Sequence, residues 1–434
     1  MEELTMPTEG EDDWMDEEKF AQKWTYSLRS DFISSSGVPA AWAPGNPQYW
    51  GQENARIRLD GEAVALALSH DDKLLAVGIE KDIHVFCMAN RKRIDVLKGH
   101  PGQVVTLQFS PGFDPSENTN YQYLLVSQSD EEDYGEVNTV MIWDLDQTGQ
   151  ELSKDTSTEI SNGKLQFEGH LGSFQSPVFS TDLKHLIYVA QNMTAGAYNE
   201  CQYSPSVNLW DVETRSLRCQ LSGHTDAVVW VGFSPDNLLA ASTSLDGTAR
   251  VWDVITGVCL QTITPQGDQL WCGAFSPDSK YLAIGQGSPT RLLVYEISTG
   301  RTISSAETPR IDSMAWSPDS SLIAVGLENG TLNLFDPYTR AEKMRWSLGF
   351  DEYLMQSFAS IRGVQFIDKG KKLVFQIIEG TVEVYDFETN LKLQFTRGPG
   401  VKTAKCPHAQ VVCSRNSKFL VVADVDWEVR IWNL

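Results

Sequence analysis

Positive charge is scarce in this 434-residue chain, which has 35 lysine and arginine residues against 58 aspartate and glutamate residues and a formal net charge of −23. A field of that sign repels nucleic acid phosphates and anionic lipid surfaces, so we expect neither nucleic acid nor a membrane as a direct partner. A run of about 18 apolar residues, which a transmembrane helix needs, is also absent. The acidic start, MEELTMPTEGEDDWMDEE, has no apolar segment of the secretory-signal kind.

Motifs that carry chemistry are missing as well. The 7 histidines show no zinc-ligand spacing, and there is neither a phosphate-binding G-x-x-x-x-G-K-[ST] loop nor a G-x-S-x-G nucleophile turn. We therefore expect no catalytic residues, no metal and no cofactor. The 7 cysteines are odd in number and lack C-x-x-C spacing, which is typical of reduced thiols. This indicates an intracellular protein of the cytoplasm, the nucleus or both.

What the chain does contain is an internal repeat. Eight short segments end in an aromatic residue followed by an acidic or small polar one: HVFCM, MIWDL, NLWDV, RVWDV, LVYEI, NLFDP, EVYDF and RIWNL. Their aromatic residues lie between 40 and 67 residues apart. Each unit reads as four strands, the first often ending in Phe-Ser-Pro. Repeats of this size predict an all-β closed propeller, with eight blades and seven as the alternative.

The two ends of the chain are expected to meet. The last repeat lacks a fourth strand, and residues 55–60 form one spare strand before the first repeat. We expect this N-terminal strand to complete the last blade, because an unpaired sheet edge is a liability. Polar insertions at about 112–122, 130–138, 146–159 and 193–205 are expected to be surface loops. The domain division is then an acidic, partly disordered extension with aromatic motifs at 1–50 and the propeller at 51–434.

The fourth repeat has the clearest motif, Gly223-His224 followed by FSPDNLLAASTSLDGTARVWDV. It resembles the repeats of the WD40 family, and the resemblance covers about residues 51–434. The resemblance implies a buried hydrogen-bond network, whose members here are His224, Ser242, Asp246 and Trp252. Blades without a Gly-His pair are expected to depend mainly on apolar packing.

The resemblance also implies that partners bind the top face, formed by the loops that lead into the innermost strands. Alignment of the repeats places eleven residues there: Glu62, Gln103, Ser173, Gln175, Gln269, Trp271, Arg310, Asp312, Ser360, Arg362 and His408. Tryptophan and arginine often dominate interface energies, so Trp271, Arg310 and Arg362 are the expected anchors. The alternatives are that Trp271 packs between blades and that the arginines are solvated or paired with an acid such as Asp312.

We expect a non-catalytic scaffold or adaptor that binds proteins or peptide motifs and is a monomer within larger complexes. One alternative is a regulatory or substrate-receptor subunit of a multiprotein complex, docked through residues 1–50. Another is a propeller enzyme that uses the central channel, which would need converging polar side chains or a metal there.

Overall fold

A computed structural model describes residues 37–112, 123–130, 138–145, 165–172, 176–195, 201–347, 360–377, 380–396, 410–424 and 426–434. These residues form strands β1 to β33 and one 3-10 turn, Asp368–Gly370, and the strands are arranged in eight sheets. Within the described ranges, no helix has the length and apolar character needed to cross a membrane.

Three short strands precede the first blade: β1 (Ala41–Trp42), β2 (Gln48–Tyr49) and β3 (Ala55–Arg58). Blade 1 contains β4 (Ala63–Leu68), β5 (Leu74–Ile79), β6 (Asp82–Cys87) and β7 (Lys92–Leu97). Blade 2 contains β8 (Gln103–Phe109), β9 (Tyr123–Asp130), β10 (Thr139–Leu145) and β11 (Leu165–Glu168).

Blades 3 to 5 follow in chain order. Blade 3 has a sheet of β12 (His185–Ala195), β13 (Cys201–Asp211) and β14 (Ser216–Ser222). Blade 4 contains β15 (Val228–Phe233), β16 (Leu239–Ser244), β17 (Ala249–Asp253) and β18 (Cys259–Ile263). Blade 5 contains β19 (Leu270–Phe275), β20 (Tyr281–Gly287), β21 (Thr290–Glu296) and β22 (Arg301–Glu307).

The last three blades complete the ring. Blade 6 contains β23 (Ile311–Trp316), β24 (Ile323–Leu327), β25 (Thr331–Phe335) and β26 (Glu342–Ser347). Blade 7 contains β27 (Ile361–Ile367), β28 (Lys372–Ile377), β29 (Val382–Asp386) and β30 (Leu391–Thr396). Blade 8 contains β31 (Gln410–Cys413), β32 (Phe419–Asp424) and β33 (Glu428–Asn433).

The N-terminal part of the chain closes the ring. Strand β3 pairs antiparallel with β33, from Ala55 opposite Ile431 to Arg58 opposite Glu428, and so becomes the outer strand of blade 8. The predictions of eight blades and of closure by an N-terminal strand are confirmed. Strands β1 and β2 pair in parallel with β30 and cover the outer edge of blade 7.

One loop prediction was wrong. Residues 193–195 and 201–205 continue the hairpin of blade 3, in which β12 and β13 pair up to Ala195 opposite Cys201. Backbone hydrogen bonds between adjacent strands need no apolar side chains, so polar composition was a poor guide there. The other three insertions lie almost wholly outside the described residues.

Apolar side chains fill the spaces between neighbouring blades. Trp230 of blade 4, for example, packs with Phe275 and Leu282 of blade 5. Similar buried clusters join the other adjacent blades, including blade 8 to blade 1. Each blade therefore buries both faces of its sheet, which explains why the strands read as largely apolar runs.

The turns between the first and second strands form the opposite, bottom face and are joined to one another. In blade 4, the Ser234 hydroxyl donates to Asp236 at 2.5 Å, and the N–H of Leu239 donates back to the Ser234 oxygen at 3.0 Å. The Asp236 N–H donates to the Ser279 hydroxyl of blade 5 at 3.1 Å. Such links fix the orientation of the blades relative to one another.

Candidate functional site

The start of the innermost strand has the same irregularity in six blades. A β-bulge there lets the pairing register skip one residue: Val64, Val105, Val229, Trp271, Asp312 and Arg362 in blades 1, 2, 4, 5, 6 and 7. A bulge leaves its extra residue outside the ladder and turns the side chain in a new direction. Blades 1, 2 and 4 have valine at this position, whereas three consecutive blades, 5 to 7, have tryptophan, aspartate and arginine.

The bulge residue of blade 6 organises a polar cluster. Asp312 has a relative exposure of only 4%, and one of its oxygens accepts a hydrogen bond from Arg310 Nε at 3.0 Å. The Ser360 hydroxyl at the start of blade 7 donates to its other oxygen. Glu328 Oε2 also lies 3.4 Å from Arg310 Nε. Two carboxylates thus hold one guanidinium at the top face.

The cluster orients Arg310 without burying it. Burial alone would lower the pKa of Arg310, but the hydrogen bond and charge of Asp312 raise it. The side chain keeps 46% of its surface exposed. Its position is therefore fixed while part of the guanidinium still faces solvent, and a partner would not have to order it on binding.

Blades 6 and 7 are also joined beneath the cluster. The Ser313 hydroxyl donates to the Ile361 carbonyl at 2.7 Å, next to the buried Ser360. A Cβ atom at Gly326 would lie 2.4 Å from the Ser313 hydroxyl oxygen, so the junction between blades 6 and 7 has no room for a larger residue at this position. The site therefore rests on a closely packed junction of two blades.

Trp271 of blade 5 lies on the hairpin of its own blade. A Cβ atom at Gly287 would lie only 2.4 Å from the indole Nε1, so the glycine is what allows the ring to approach the backbone. The Gly287 N–H donates to the Gln269 carbonyl at 2.8 Å. The indole is half-buried, so an aromatic surface remains available at the top face.

The remaining residues predicted for the top face do not form one cluster. Glu62, Gln103, Gln269 and Arg362 are exposed at the entrances of blades 1, 2, 5 and 7. Gln103 lines an open groove of blade 1. The prediction for three further positions falls outside the described residues: Ser173, Gln175 and His408. Among the predicted residues that the structure describes, it brings together only Arg310, Asp312 and Ser360.

Sequence reasoning missed Glu328 and the significance of the bulge. Glu328 lies in the turn between the second and third strands of blade 6, and its N–H donates to the Arg310 carbonyl at 3.0 Å. In a four-stranded blade this turn and the loop into the first strand lie on the same face. That topological rule could have identified Glu328, whereas nothing in the sequence marks the bulges.

The four residues of the blade 4 network are hydrogen-bonded to one another. His224 Nδ1 lies 2.8 Å from Asp246, His224 Nε2 lies 2.8 Å from Ser242 Oγ, and the Trp252 indole donates to Ser242 at 3.1 Å. Burial would raise the pKa of Asp246, but hydrogen bonds from His224, Thr248 and the Thr225 backbone hold it well below its usual range. These groups hold the blade together and are closed to solvent.

Blade 2 has a shorter version of the network. Ser127 Oγ lies 2.6 Å from His100 Nε2 and accepts the Trp143 indole N–H at 2.7 Å. In blade 3, Tyr188 stands where the serine would be, and Asn208 donates to its hydroxyl at 3.0 Å. The pKa of His170 is lowered to about 4 because the ring is buried. Histidines in these blades are therefore parts of the blade interior.

No group of three histidine, cysteine, aspartate or glutamate side chains suited to a metal ion occurs in the described part of the chain. Five of the cysteines are free thiols: Cys87, Cys219, Cys259, Cys272 and Cys413. Burial raises the pKa of the Cys272 and Cys413 thiols to about 12, so neither is a ready nucleophile.

Known proteins share this architecture. The sequence profile described as "WD domain, G-beta repeat" matches residues 215–253 and 298–336. The WD repeat-containing protein VIP3 of Arabidopsis thaliana is 29% identical over 30% of this chain and 46% of its own length. The nuclear distribution protein nudF of Aspergillus niger is 27% identical over 59% of this chain and 56% of its own.

The matched region thus spans about half the length of these curated relatives. Among solved structures, the computationally designed Ika8 protein superimposes with a TM-score of 0.61 at 20% identity, over 87% of this chain and 99% of that one. That similarity concerns the fold alone. The repeat profile, the relatives and the eight-bladed ring agree: the chain is a β-propeller whose repeats are similar to those of the WD40-repeat family.

Proposed function

We propose that this protein is a non-catalytic scaffold that binds protein or peptide partners on its top face, at the entrances of blades 5 to 7. WD-repeat relatives support a protein-interaction role in general. The observation that carries the more specific proposal is the replacement of the bulge valine by Trp271, Asp312 and Arg362 in three consecutive blades.

The chemistry of these blades favours a particular kind of partner. Arg310 is held by Asp312 and Glu328, Arg362 is exposed in the next blade, and Trp271 presents a half-buried indole on the other side. Oriented guanidinium groups recognise carboxylates, and an indole contributes apolar area. A segment that has an acidic residue next to an apolar one fits this surface.

The alternative is a complex subunit docked through residues 1–50. Strands β1 and β2, which form a strap along the outer edge of blade 7, limit which of these residues are available for docking. Residues 41–42 and 48–49 pair with β30, so they already have a partner within the chain. Docking of that kind would depend mainly on the other residues of this segment. The intracellular location, the monomeric state and the absence of catalysis remain predictions.

Affinity purification with quantitative mass spectrometry would test the proposal. The wild-type protein is compared with a Trp271→Ala/Arg310→Glu/Arg362→Glu variant whose fold is checked by circular dichroism. We expect partners that are present with the wild type and lost with the variant. A matched Glu62→Ala/Gln103→Ala variant on blades 1 and 2 should keep them. Identical partner sets for all three proteins would contradict the proposed site.

A further inference from the structure

The bottom face carries a concentration of positive charge that the acidic composition hides. We define a basic patch that consists of Lys369, Lys371, Lys372, Arg415 and Lys418. Lys372 adjoins the turn between the first and second strands of blade 7, and the other four lie in that turn or in the equivalent turn of blade 8. Only one acidic residue, Asp368, lies in these two turns. The equivalent turns of blades 4 to 6 have an aspartate each, and their single lysine, Lys280, pairs with Asp278 at 3.4 Å.

Most cations of the basic patch have no ion-pair partner among the described residues, although Asp72 of the neighbouring blade 1 turn accepts the backbone N–H groups of Arg415 and Asn416 at 2.9 and 3.3 Å. Within the described residues, only Lys371 forms an ion pair, with Glu388 at 3.0 Å. The other four have no carboxylate within ion-pair distance there, and Lys369 and Lys418 are exposed. The Asp368 N–H donates to the Ser417 hydroxyl at 2.8 Å, which joins the two turns into one surface. Such a surface attracts acidic segments.

The N-terminal segment of the chain arrives beside this surface. Strand β1 pairs with the start of β30, directly after the bottom-face turn of blade 7, and the Ala41 N–H donates to the Asn390 carbonyl at 3.1 Å. Asn390 in turn donates to the Pro39 carbonyl at 3.2 Å. The same turn contains Glu388, the partner of Lys371. Residues that precede Pro39 therefore leave the blade at its bottom edge.

The segment that leaves there has the complementary charge. Residues 1–18 contain nine acidic residues and no basic one. A random coil of roughly 20 residues, the number that separates residue 18 from Pro39, would have a root-mean-square span of about 25 Å. That span is sufficient to cover one neighbouring blade. A tether of this length also gives an effective concentration on the order of millimolar, so modest affinity is enough.

We propose that the acidic residues 1–18 bind the basic patch on blades 7 and 8 of their own chain. The contact is electrostatic and is weakened by salt. This surface is separate from the top face, so the inference does not depend on the function proposed above.

Zero-length carbodiimide crosslinking of the full chain, followed by peptide mass spectrometry, tests this contact. The reagent joins a carboxylate to a lysine only when the two are in ion-pair contact. We expect links from residues 1–18 to Lys369, Lys371, Lys372 or Lys418, several-fold more abundant than links to Lys81 and Lys98 on the top face. At about 0.5 M salt the links to the basic patch should fall to the level of those controls.

A mixture of isotopically light and heavy chains identifies the origin of each link. The proposal requires light–light and heavy–heavy links; mixed links in equal amount would show that a second copy is bound, and would overturn it. A Lys369→Glu/Lys418→Glu variant should reduce the links to Lys371 and Lys372, whereas Lys81→Glu/Lys98→Glu should not. Links spread evenly over all exposed lysines, or no links from residues 1–18, would also refute the contact.

Discussion

Blade 4 and blades 5 to 7 place their polar residues in opposite regions of the same architecture. Blade 4 has its polar groups inside, where Ser242 connects His224 to Trp252, and it has a valine, Val229, at the bulge. In blades 5, 6 and 7 the position that corresponds to Ser242 is apolar, and all three residues there are buried: Ile284, Val325 and Phe375.

At the bulge the relation is reversed, because blades 5 to 7 have Trp271, Asp312 and Arg362 there. Blade 4 shows that a valine is sufficient at this position to form the same strand and bulge. The polar and aromatic residues of blades 5 to 7 are therefore not required by the blade geometry. Their presence in three neighbouring blades is the basis of the proposal that this surface recognises a partner.

The largest effect is expected from removing the centre of the blade 4 network. Ser242→Ala leaves His224 Nε2 and the Trp252 indole without their shared partner in a buried site. We expect the free energy of unfolding to fall by about 2–4 kcal/mol, measured by chemical denaturation. Ser305→Ala, at a half-buried serine of β22, is the control and should change it little. Equal effects of the two substitutions would contradict the role given to the network.

A smaller effect concerns Glu383, a buried acid of blade 7. Glu383 has a relative exposure of 1%, and burial raises its pKa from 4.5 to about 7 against the influence of Lys392 and a 2.8 Å hydrogen bond from Gln394. Between these two pH values the folded state retains a proton that the unfolded state has lost. The contribution of Glu383 to stability therefore falls as pH rises from 4.5 to about 7 and then levels off.

Glu383→Gln should remove this pH dependence. The difference in free energy of unfolding between wild type and variant is expected to change by about 1–3 kcal/mol between acidic and mildly alkaline pH. Glu388→Gln, on the exposed turn of the same blade, should leave the pH profile unchanged. A difference that is constant with pH would show that folding leaves the pKa of Glu383 unchanged.

The smallest effect separates two buried tryptophans that occupy equivalent positions. The Trp252 indole donates to Ser242, whereas Trp432 Nε1 in blade 8 has no hydrogen-bond acceptor among the described residues. Trp→Phe removes similar apolar contacts in both blades but breaks a hydrogen bond only in blade 4. We expect Trp252→Phe to cost about 1 kcal/mol more than Trp432→Phe. The same cost at both positions would remove the distinction between the blades.

Much of the fold followed from the sequence because the repeat is strong. The recurring aromatic residues gave the blade number, and the spare strand at 55–60 predicted closure of the ring. The strap of β1 and β2 was not predictable in the same way, since strands of 2 residues show no alternating pattern. Their pairing depends on the outer edge of β30, which exists only after blade 7 has formed.

The candidate site was less accessible to sequence reasoning. Alignment of the repeats placed Arg310 and Asp312 at one entrance, but a β-bulge inserts a residue without a glycine or other compositional mark. The acceptor of the Ser360 hydroxyl lies 48 positions away in the sequence, across a blade junction. Contacts of that kind depend on the angle between blades and therefore need the structure.

Site-specific photo-crosslinking in the native cell tests the central claim most directly. A photoreactive amino acid replaces Gln269 or Pro309 at the entrances of blades 5 and 6, or Glu62 or Gln103 at blades 1 and 2; all four side chains are exposed. The account predicts protein adducts at positions 269 and 309 and none at 62 and 103. Adducts confined to 62 and 103, or equal at all four positions, would contradict a binding surface on blades 5 to 7.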